Sequence, residues 1–206
     1  KFLKKLGVWN RIVKTSIVDV SEITIWGDRQ DSIGFSSVDE NLSPLGYTIE
    51  KNELIRALSE RLTSSNVIVR YNIDVKSFDT GTDEIRVQLS DGNILKSNLL
   101  VGADSINSRI RELANIATQT HDFQQIAIVF RIRGQRGGGS AYQWFRNEGE
   151  VLALLPLVDN QFGVVWSISK KRGENLLISG NRLIGPELCS IVNDQVGECE
   201  IVDEFK

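Results

Sequence analysis

A carboxylate, a hydroxyl and a guanidinium group follow one another closely after an apolar run in the middle of the sequence. Leu99, Leu100 and Val101 lead into Gly102, and Asp104, Ser108 and Arg111 come next in the order given. This pattern predicts a strand, a turn and then a helix. Backbone N–H groups at the start of a helix attract anionic groups such as pyrophosphate. Asp104 can accept hydrogen bonds from ribose hydroxyls, and Arg111 can pair with a phosphate or with Asp104 itself.

The same residues also have a purely structural interpretation, in which Asp104 caps the helix and Arg111 is a solvated charge. Residue types alone favour that interpretation. His121 is the only histidine of the chain, so a histidine-based zinc site or a Ser-His-Asp triad would depend on it entirely. We interpret His121 as a loop residue, predict no metal site and name no catalytic residue.

Composition limits the classes of function that remain. The chain has 206 residues, 41% hydrophobic and 25% charged, and a net charge of -3. A globular fold with a sizeable core is therefore expected, and the lack of a basic block argues against nucleic acid as a partner. No apolar run is long enough for a membrane span. Cys189 and Cys199 indicate reduced, inert thiols, which predicts a cytoplasmic location.

Hydrophobic periodicity predicts the elements of the first half of the chain. Apolar spacing of three and four favours helices over 1–14, 50–62 and 105–115, whereas the residues 17–36 favour a β-hairpin with Trp26 and Phe35 on opposite strands. Alternating residues predict three further strands, and Asp91-Gly92 predicts a tight hairpin turn between two of them. These strands cover residues 67–79, 84–92 and 94–104.

The second half of the chain is dominated by alternating apolar residues, which predict four consecutive strands. They are QIAIVFRIRG, SAYQWFRN, EVLALLPLV and QFGVVWSIS. The glycine-rich stretch 134–139 is predicted as a hairpin connection between the first two. Helices are predicted from Lys171 onward, with breaks at Gly180 and at Gly185-Pro186. The fold class is therefore mixed α/β, with a broad antiparallel sheet that has one face free to cover a ligand.

The spacing around Asp104 resembles the second motif of the class A flavoprotein monooxygenases, Gly-x-Asp-Gly-x-x-Ser-x-x-Arg after an apolar strand. Gly102, Asp104, Ser108 and Arg111 occupy the matching positions, and Ser105 stands where the family has glycine. In that family the motif lies near FAD and the incoming NAD(P)H. The resemblance therefore implies that these four residues belong to a cofactor site. With Ser105 at this position, cofactor binding depends on whether the motif needs the backbone freedom of glycine there.

Further stretches are similar to one branch of that family, the aromatic hydroxylases of ubiquinone biosynthesis. They are LGVWNRI, LGYTIEKNELIRAL, AYQWFRNEGEVLALLPL and VVWSIS, in the family's order from Phe2 to Ser169. Lys51 stands where the branch usually has asparagine, which adds it to the predicted cofactor site. The fold implied is p-hydroxybenzoate-hydroxylase-like. Part of a Rossmann-like FAD-binding domain would comprise 1–16 and 47–118, and the sheet of a substrate domain with C-terminal helices would comprise 17–46 and 119–206.

The resemblance also implies the chemistry. We expect FAD- and NAD(P)H-dependent hydroxylation of an aromatic ring by O₂, with a polyprenyl phenol of ubiquinone biosynthesis as substrate. Such a substrate implies peripheral contact with the inner membrane, and a homo-oligomer or a biosynthetic complex is possible in this branch. The chain contains no Gly-x-Gly-x-x-Gly fingerprint, no later Gly-Asp flavin segment and no methionine, so we expect an internal portion of a longer enzyme.

Two other interpretations remain open. One is a non-catalytic relative or truncated remnant that acts as a partner in a biosynthetic complex, and the other is a different flavoprotein of the same fold, such as a halogenase or a geranylgeranyl reductase. For the substrate pocket we predict apolar and aromatic residues of the second-half strands, with a core role against helices as the alternative for each. These are Tyr142, Trp144, Leu152, Leu154 and Leu155, with Ile128, Phe130 and Phe145 in the same sheet.

Overall fold

A computed structural model of the chain describes residues 1–29, 31–39, 44–146 and 149–203, and the backbone alone at Asn181. The chain divides into two compact units, one formed by Lys1–Ser65 with Asp122–Lys206 and the other by Asn66–His121. The predicted domain boundaries of the FAD-binding and substrate domains stay a prediction. No helix in the described ranges is both long and apolar enough to cross a membrane.

The described residues form five α-helices and twelve strands. The helices are α1 (Phe2–Lys5), α2 (Lys51–Thr63), α3 (Arg109–Leu113), α4 (Lys170–Ser179) and α5 (Asn181–Val196). The strands are β1 (Ile17–Val20), β2 (Glu22–Trp26), β3 (Ser32–Ser36), β4 (Gly46–Ile49), β5 (Val75–Thr80), β6 (Ile85–Leu89), β7 (Ile94–Ser97), β8 (Gln125–Gly134), β9 (Ser140–Phe145), β10 (Val151–Pro156), β11 (Gln161–Ser169) and β12 (Cys199–Ile201).

The larger unit is built on a seven-stranded sheet with the order β12-β8-β11-β10-β9-β2-β3. All neighbours are antiparallel except β2 and β9, which run parallel. The four second-half strands predicted from alternation are confirmed. The predicted hairpin at 134–139 is wrong, because β11 and β10 lie between β8 and β9. Its glycines allow close packing instead, since a Cβ on Gly139 would lie 2.5 Å from the carbonyl oxygen of Asp19.

Helices α4 and α5 cover one face of this sheet. Ile184, Leu188, Val192 and Val196 repeat every four residues, are fully buried and belong to the core with the sheet. The predicted break at Gly180 is confirmed, and its φ of +57° suits glycine. The predicted break at Gly185-Pro186 is wrong, because α5 continues through Pro186. We attribute this to the buried stripe, whose packing outweighs the single backbone hydrogen bond that a proline removes.

The N-terminal region differs from its prediction. The helix predicted over 1–14 is wrong, because Gly7 has a φ of +70° and ends α1; two short 3-10 turns follow at Trp9–Arg11 and Lys14–Ser16. Val8, Ile12 and Ala57 form a small core with α2, which has the predicted extent to within one residue. The hairpin formed by β2 and β3 is confirmed. The preceding strand β1 pairs instead with β4 in a separate two-stranded sheet.

The smaller unit, Asn66–His121, contains the three-stranded antiparallel sheet β5-β6-β7 and the short helix α3. The turn at Asp91-Gly92 is confirmed as the connection between β6 and β7. The strands predicted at 67–74 and 98–104 are wrong, because neither stretch pairs with a described strand and Leu99 is 74% exposed. Alternation predicts an extended backbone, but a strand forms only where a neighbour satisfies its hydrogen bonds.

Candidate functional site

The Asp104 turn is held together by the side chains that the sequence singled out. Ser108 is the N-cap of α3, and its Oγ accepts a hydrogen bond from the backbone N–H of Arg111 at 3.0 Å. The same hydroxyl donates to Oδ1 of Asp104 at 2.5 Å. Oδ2 of Asp104 accepts from the backbone N–H of Ile110 at 3.2 Å. Both carboxylate oxygens therefore bridge the turn to the first residues of the helix, but the interpretation of Asp104 as the N-cap is wrong, because Ser108 occupies that position.

Ser105 occupies the position where the resembling motif has glycine, and its backbone adopts a φ of +74°. This left-handed region is the one that glycine enters without steric cost and that other residues seldom occupy. Ser105 therefore adopts a backbone conformation that suits glycine, the residue that the resembling motif has at this position.

The remaining motif residues also serve the local packing. A Cβ on Gly102 would lie 2.9 Å from the Cβ of Ile110, so this glycine permits the close approach of the chain to α3. Nη2 of Arg111 donates to the carbonyl oxygen of Ile106 at 2.6 Å. Arg111 therefore stabilises the loop that contains Ser105.

The Asp104 carboxylate is anionic over the physiological pH range. The hydrogen bond from Ser108 is the main cause that holds its pKa below the usual value, and the N–H of Ile110 adds to it. The side chain of Asp104 is exposed at the same time. The turn thus presents a fixed negative group next to the left-handed backbone of Ser105.

Lys51, the fifth predicted cofactor residue, belongs to the other compact unit. It is the first residue of α2 and its side chain is exposed. The preceding residue, Glu50, is the N-cap, and its carboxylate lies 3.5 Å from the guanidinium of Arg131. Arg131 also donates two hydrogen bonds to Asp203, at 2.5 and 2.9 Å. No sequence motif indicated this cluster of Glu50, Arg131 and Asp203, because the three residues are far apart along the chain.

Most of the predicted pocket residues lie on the helix-covered face of the large sheet. Leu152 and Leu154 have no exposed surface, and they belong to the core with α5. Their cross-strand partners are Trp144 and Tyr142. Ile128 and Phe130, from the neighbouring part of the sheet, belong to the same buried core. These residues therefore have the core role that was the alternative interpretation of the sequence.

Trp144 has one further contact of interest on that face. Its ring stacks on Trp26 with centroids 5.0 Å apart, and both residues line a cavity of about 620 Å³ next to α5. Glu150 also lines it, and Oε1 of this residue accepts a hydrogen bond from Nε1 of the buried Trp166 at 2.7 Å. The indole pair and the Glu150 contact were not predicted, because they depend on which strands are neighbours.

The opposite face of the sheet, which we term the open face, carries the remaining predicted residues, Leu155 and Phe145. The register places Leu155 beside Gly163, and Gly163 beside Arg131. Leu155 and Phe145 are 41% and 46% exposed. Exposed apolar side chains gathered on one sheet face are typical of a surface that meets a ligand or another part of a protein.

The fold is that of the flavin-dependent monooxygenases. The crystal structure of PqsL, a probable FAD-dependent monooxygenase from Pseudomonas aeruginosa, superposes with a TM-score of 0.74 at 16% sequence identity, over 98% of this chain and 60% of that one. At this identity the likeness shows the fold alone. It confirms the expected mixed α/β architecture.

Sequence comparison then defines the family. The FAD binding domain family matches residues 1–203, and the chain belongs to this family. The mitochondrial ubiquinone biosynthesis monooxygenase COQ6 of Danio rerio is 28% identical over 187 residues, which cover 85% of this chain and 38% of that protein. The 3-demethoxyubiquinol 3-hydroxylase of Escherichia coli is 27% identical over 82% of this chain and 44% of its own length. The chain thus spans less than half of these relatives.

Proposed function

We propose that the protein containing this chain hydroxylates the aromatic ring of a polyprenyl phenol in ubiquinone biosynthesis, using FAD, NAD(P)H and O₂. The observation that carries the proposal is an open, apolar sheet face in a chain that belongs to the FAD binding domain family. The names of the two relatives, a ubiquinone biosynthesis monooxygenase and a demethoxyubiquinol hydroxylase, support the choice of substrate class.

Within this proposal the Asp104 turn helps to hold the cofactors. FAD supplies the redox and oxygen chemistry when it is bound, and the chain supplies position and exclusion of water. Gly102 lets the chain pack against α3 and so fixes the turn, while Asp104 offers a charged acceptor for hydroxyl or amide donors. Arg111 adds positive charge suited to a phosphate group, and Lys51, in the other compact unit, stays a separate predicted cofactor residue.

The open face is proposed to contact the substrate. Leu155, Phe145 and their apolar neighbours provide a dry surface for an aromatic ring and its isoprenoid tail. A dry surface also keeps water from the reacting atoms. Because a polyprenyl tail partitions into lipid, we further propose a cytoplasmic protein in peripheral contact with the inner membrane, with a homo-oligomer or a biosynthetic complex as its working form.

The test begins with the purified full-length protein that contains this chain. We expect bound FAD in a one-to-one ratio and NAD(P)H oxidation that is stimulated by a prenylated phenol such as ortho-geranylphenol. A protein that folds but binds no FAD, and that is recovered with other biosynthetic enzymes, would instead establish the non-catalytic alternative. Running the assay with NADH and NADPH separately determines the nicotinamide preference.

A matched pair of variants then tests the role of the Asp104 turn. Asp104→Ala should slow the reduction of bound flavin by NAD(P)H, whereas Asp91→Ala should not. Asp91 is a suitable control because it also accepts hydrogen bonds in a turn of the same unit, from the backbone and the side chain of Asn93. Each variant should lose about 0.5–2 kcal/mol of stability through the lost turn contact. Equal reduction rates in both would contradict the cofactor role of Asp104.

A further inference from the structure

The open face contains a continuous row of residues that crosses six strands, and one member of this row is polar. Backbone register places the residues of the row directly opposite one another on neighbouring strands. They are Ile33, Ile25, Gln143, Ala153, Val165 and Val129, in the order of strands from β3 to β8. Gln143 therefore places a carboxamide at an interior position of an otherwise apolar row.

The carboxamide of Gln143 is available for a ligand. The side chain is half-buried, and it makes no hydrogen bond with any residue in the described part of the chain. A glutamine amide offers two N–H donors and one carbonyl acceptor. A partly desolvated amide without a partner loses free energy that a bound polar group can restore.

Two other polar side chains lie in the rows on either side of this one, and neither is as well placed. Arg131 is next to Gly163, but its guanidinium is already occupied by Asp203 and Glu50. Ser167 lies one row further along, opposite Val151 and Ala127, and its hydroxyl is too short to extend across a ring. Among these three rows Gln143 has the longest polar side chain that no described protein group engages, and Gln161, on the same face, lies two rows away opposite Arg133.

We propose that Gln143 determines specificity by hydrogen bonding the ring hydroxyl of a phenolic substrate that lies on the open face. This inference rests on the proposed function, since it concerns the same substrate surface. The neutral amide suits a phenol in both of its forms, because its carbonyl accepts from the hydroxyl and its N–H donates to the phenolate oxygen. Ile25 and Ala153, on either side of Gln143, leave a flat apolar surface for the ring itself.

The experiment compares two ligands that differ in the one relevant group, ortho-geranylphenol and its methyl ether. Their dissociation constants are measured with the FAD-loaded full-length protein by the change in flavin absorbance. We expect the unmodified protein to bind the phenol about three- to tenfold more tightly than the ether, as one neutral hydrogen bond would give. Gln143→Leu should abolish this preference by weakening phenol binding and leaving ether binding nearly unchanged.

Two further variants separate specificity from structure. Gln143→Glu keeps the size and an acceptor, so it should retain the preference for the phenol at a pH where the phenol is neutral, while binding of the phenolate should fall. Ser167→Ala, on the same face, should retain the full preference. Loss of the preference in Ser167→Ala, or its persistence in Gln143→Leu, would overturn the assignment.

The outcomes also separate this inference from the proposed function. Equal binding of phenol and ether by the unmodified protein refutes the role of Gln143 and leaves aromatic hydroxylation standing. Binding of neither ligand to the FAD-loaded protein refutes the phenolic substrate class, and the role of Gln143 with it. If Gln143→Leu does not fold, the dissociation constants of the two ligands with the unmodified protein and with Gln143→Glu still test the role of Gln143.

Discussion

The left-handed backbone of Ser105 makes a quantitative prediction about stability. A non-glycine residue in this region is strained by about 1–2 kcal/mol relative to a right-handed conformation, and glycine is not. Glycine raises the conformational entropy of the unfolded chain, which offsets about 0.4–1 kcal/mol of that gain. Ser105→Gly should therefore increase the free energy of unfolding by roughly 0.5–1 kcal/mol. With φ at +74° and no hydrogen bond from the side chain to a described residue, nothing else is lost.

Urea-induced unfolding followed by circular dichroism would measure this difference, and hydrogen exchange of the backbone amides near α3 would locate it. Two controls isolate the backbone effect. Ser105→Ala removes the hydroxyl but keeps the strained Cβ, so it should change stability by less than about 0.5 kcal/mol. Ser97→Gly, in β7, should be destabilising by about 0.5–1 kcal/mol, because its backbone has no positive φ. A Ser105→Gly variant less stable than the parent would refute the reasoning.

Three further predictions concern the larger unit. The pKa of Glu53 is lowered from 4.5 to about 2, first by its hydrogen bonds from Arg56 and then by the N–H of Val13. The stability that the ionised carboxylate contributes is present above pH 4.5 and is lost as the pH falls toward 2. Acid titration of Glu53→Gln should therefore show a smaller loss of folding stability in that interval than the unmodified protein. Leu154→Ala should cost about 2–5 kcal/mol in thermal unfolding, whereas Leu155→Ala should cost less than half as much and instead raise the KM for a prenylated phenol. Burial raises the pKa of the Cys199 thiol to about 12, so iodoacetamide at neutral pH should label it in denaturant and leave it unmodified in the folded protein, as mass spectrometry would show.

The success of sequence-based prediction depended on how local each feature is. The strands β8 to β11 follow from alternation within each segment, and α2 follows from its own spacing of three and four. The neighbours of each strand do not follow, because pairing joins distant parts of the chain. That is why residues 134–139 were predicted as a hairpin and why the hairpin predicted over 17–36 did not separate β1, which pairs with β4.

In the candidate site, too, local features were predictable from the sequence and long-range ones were not. The hydrogen bonds between Asp104 and Ser108 lie within a few residues, so the sequence motif located them. The sequence did not show which sheet face carries Leu154 and which carries Leu155. Alternation separates the two faces without showing which one the helices cover. Gln143 was not singled out, since its importance comes from the apolar residues that five other strands place in the same row.

The parallel pairing of β2 with β9 has a consequence for how the chain folds while it is being synthesised. Glu22 lies opposite Ser140, and these residues are 118 positions apart. The hairpin is complete at Ser36, so at a synthesis rate of about 5–20 residues per second it precedes its partner strand by roughly 5–21 s. During that interval Trp26, Ile33 and Phe35 are without their sheet. The nascent chain thus displays an apolar hairpin early, and a chaperone that shields such hairpins would have its longest opportunity to act before the large sheet can close.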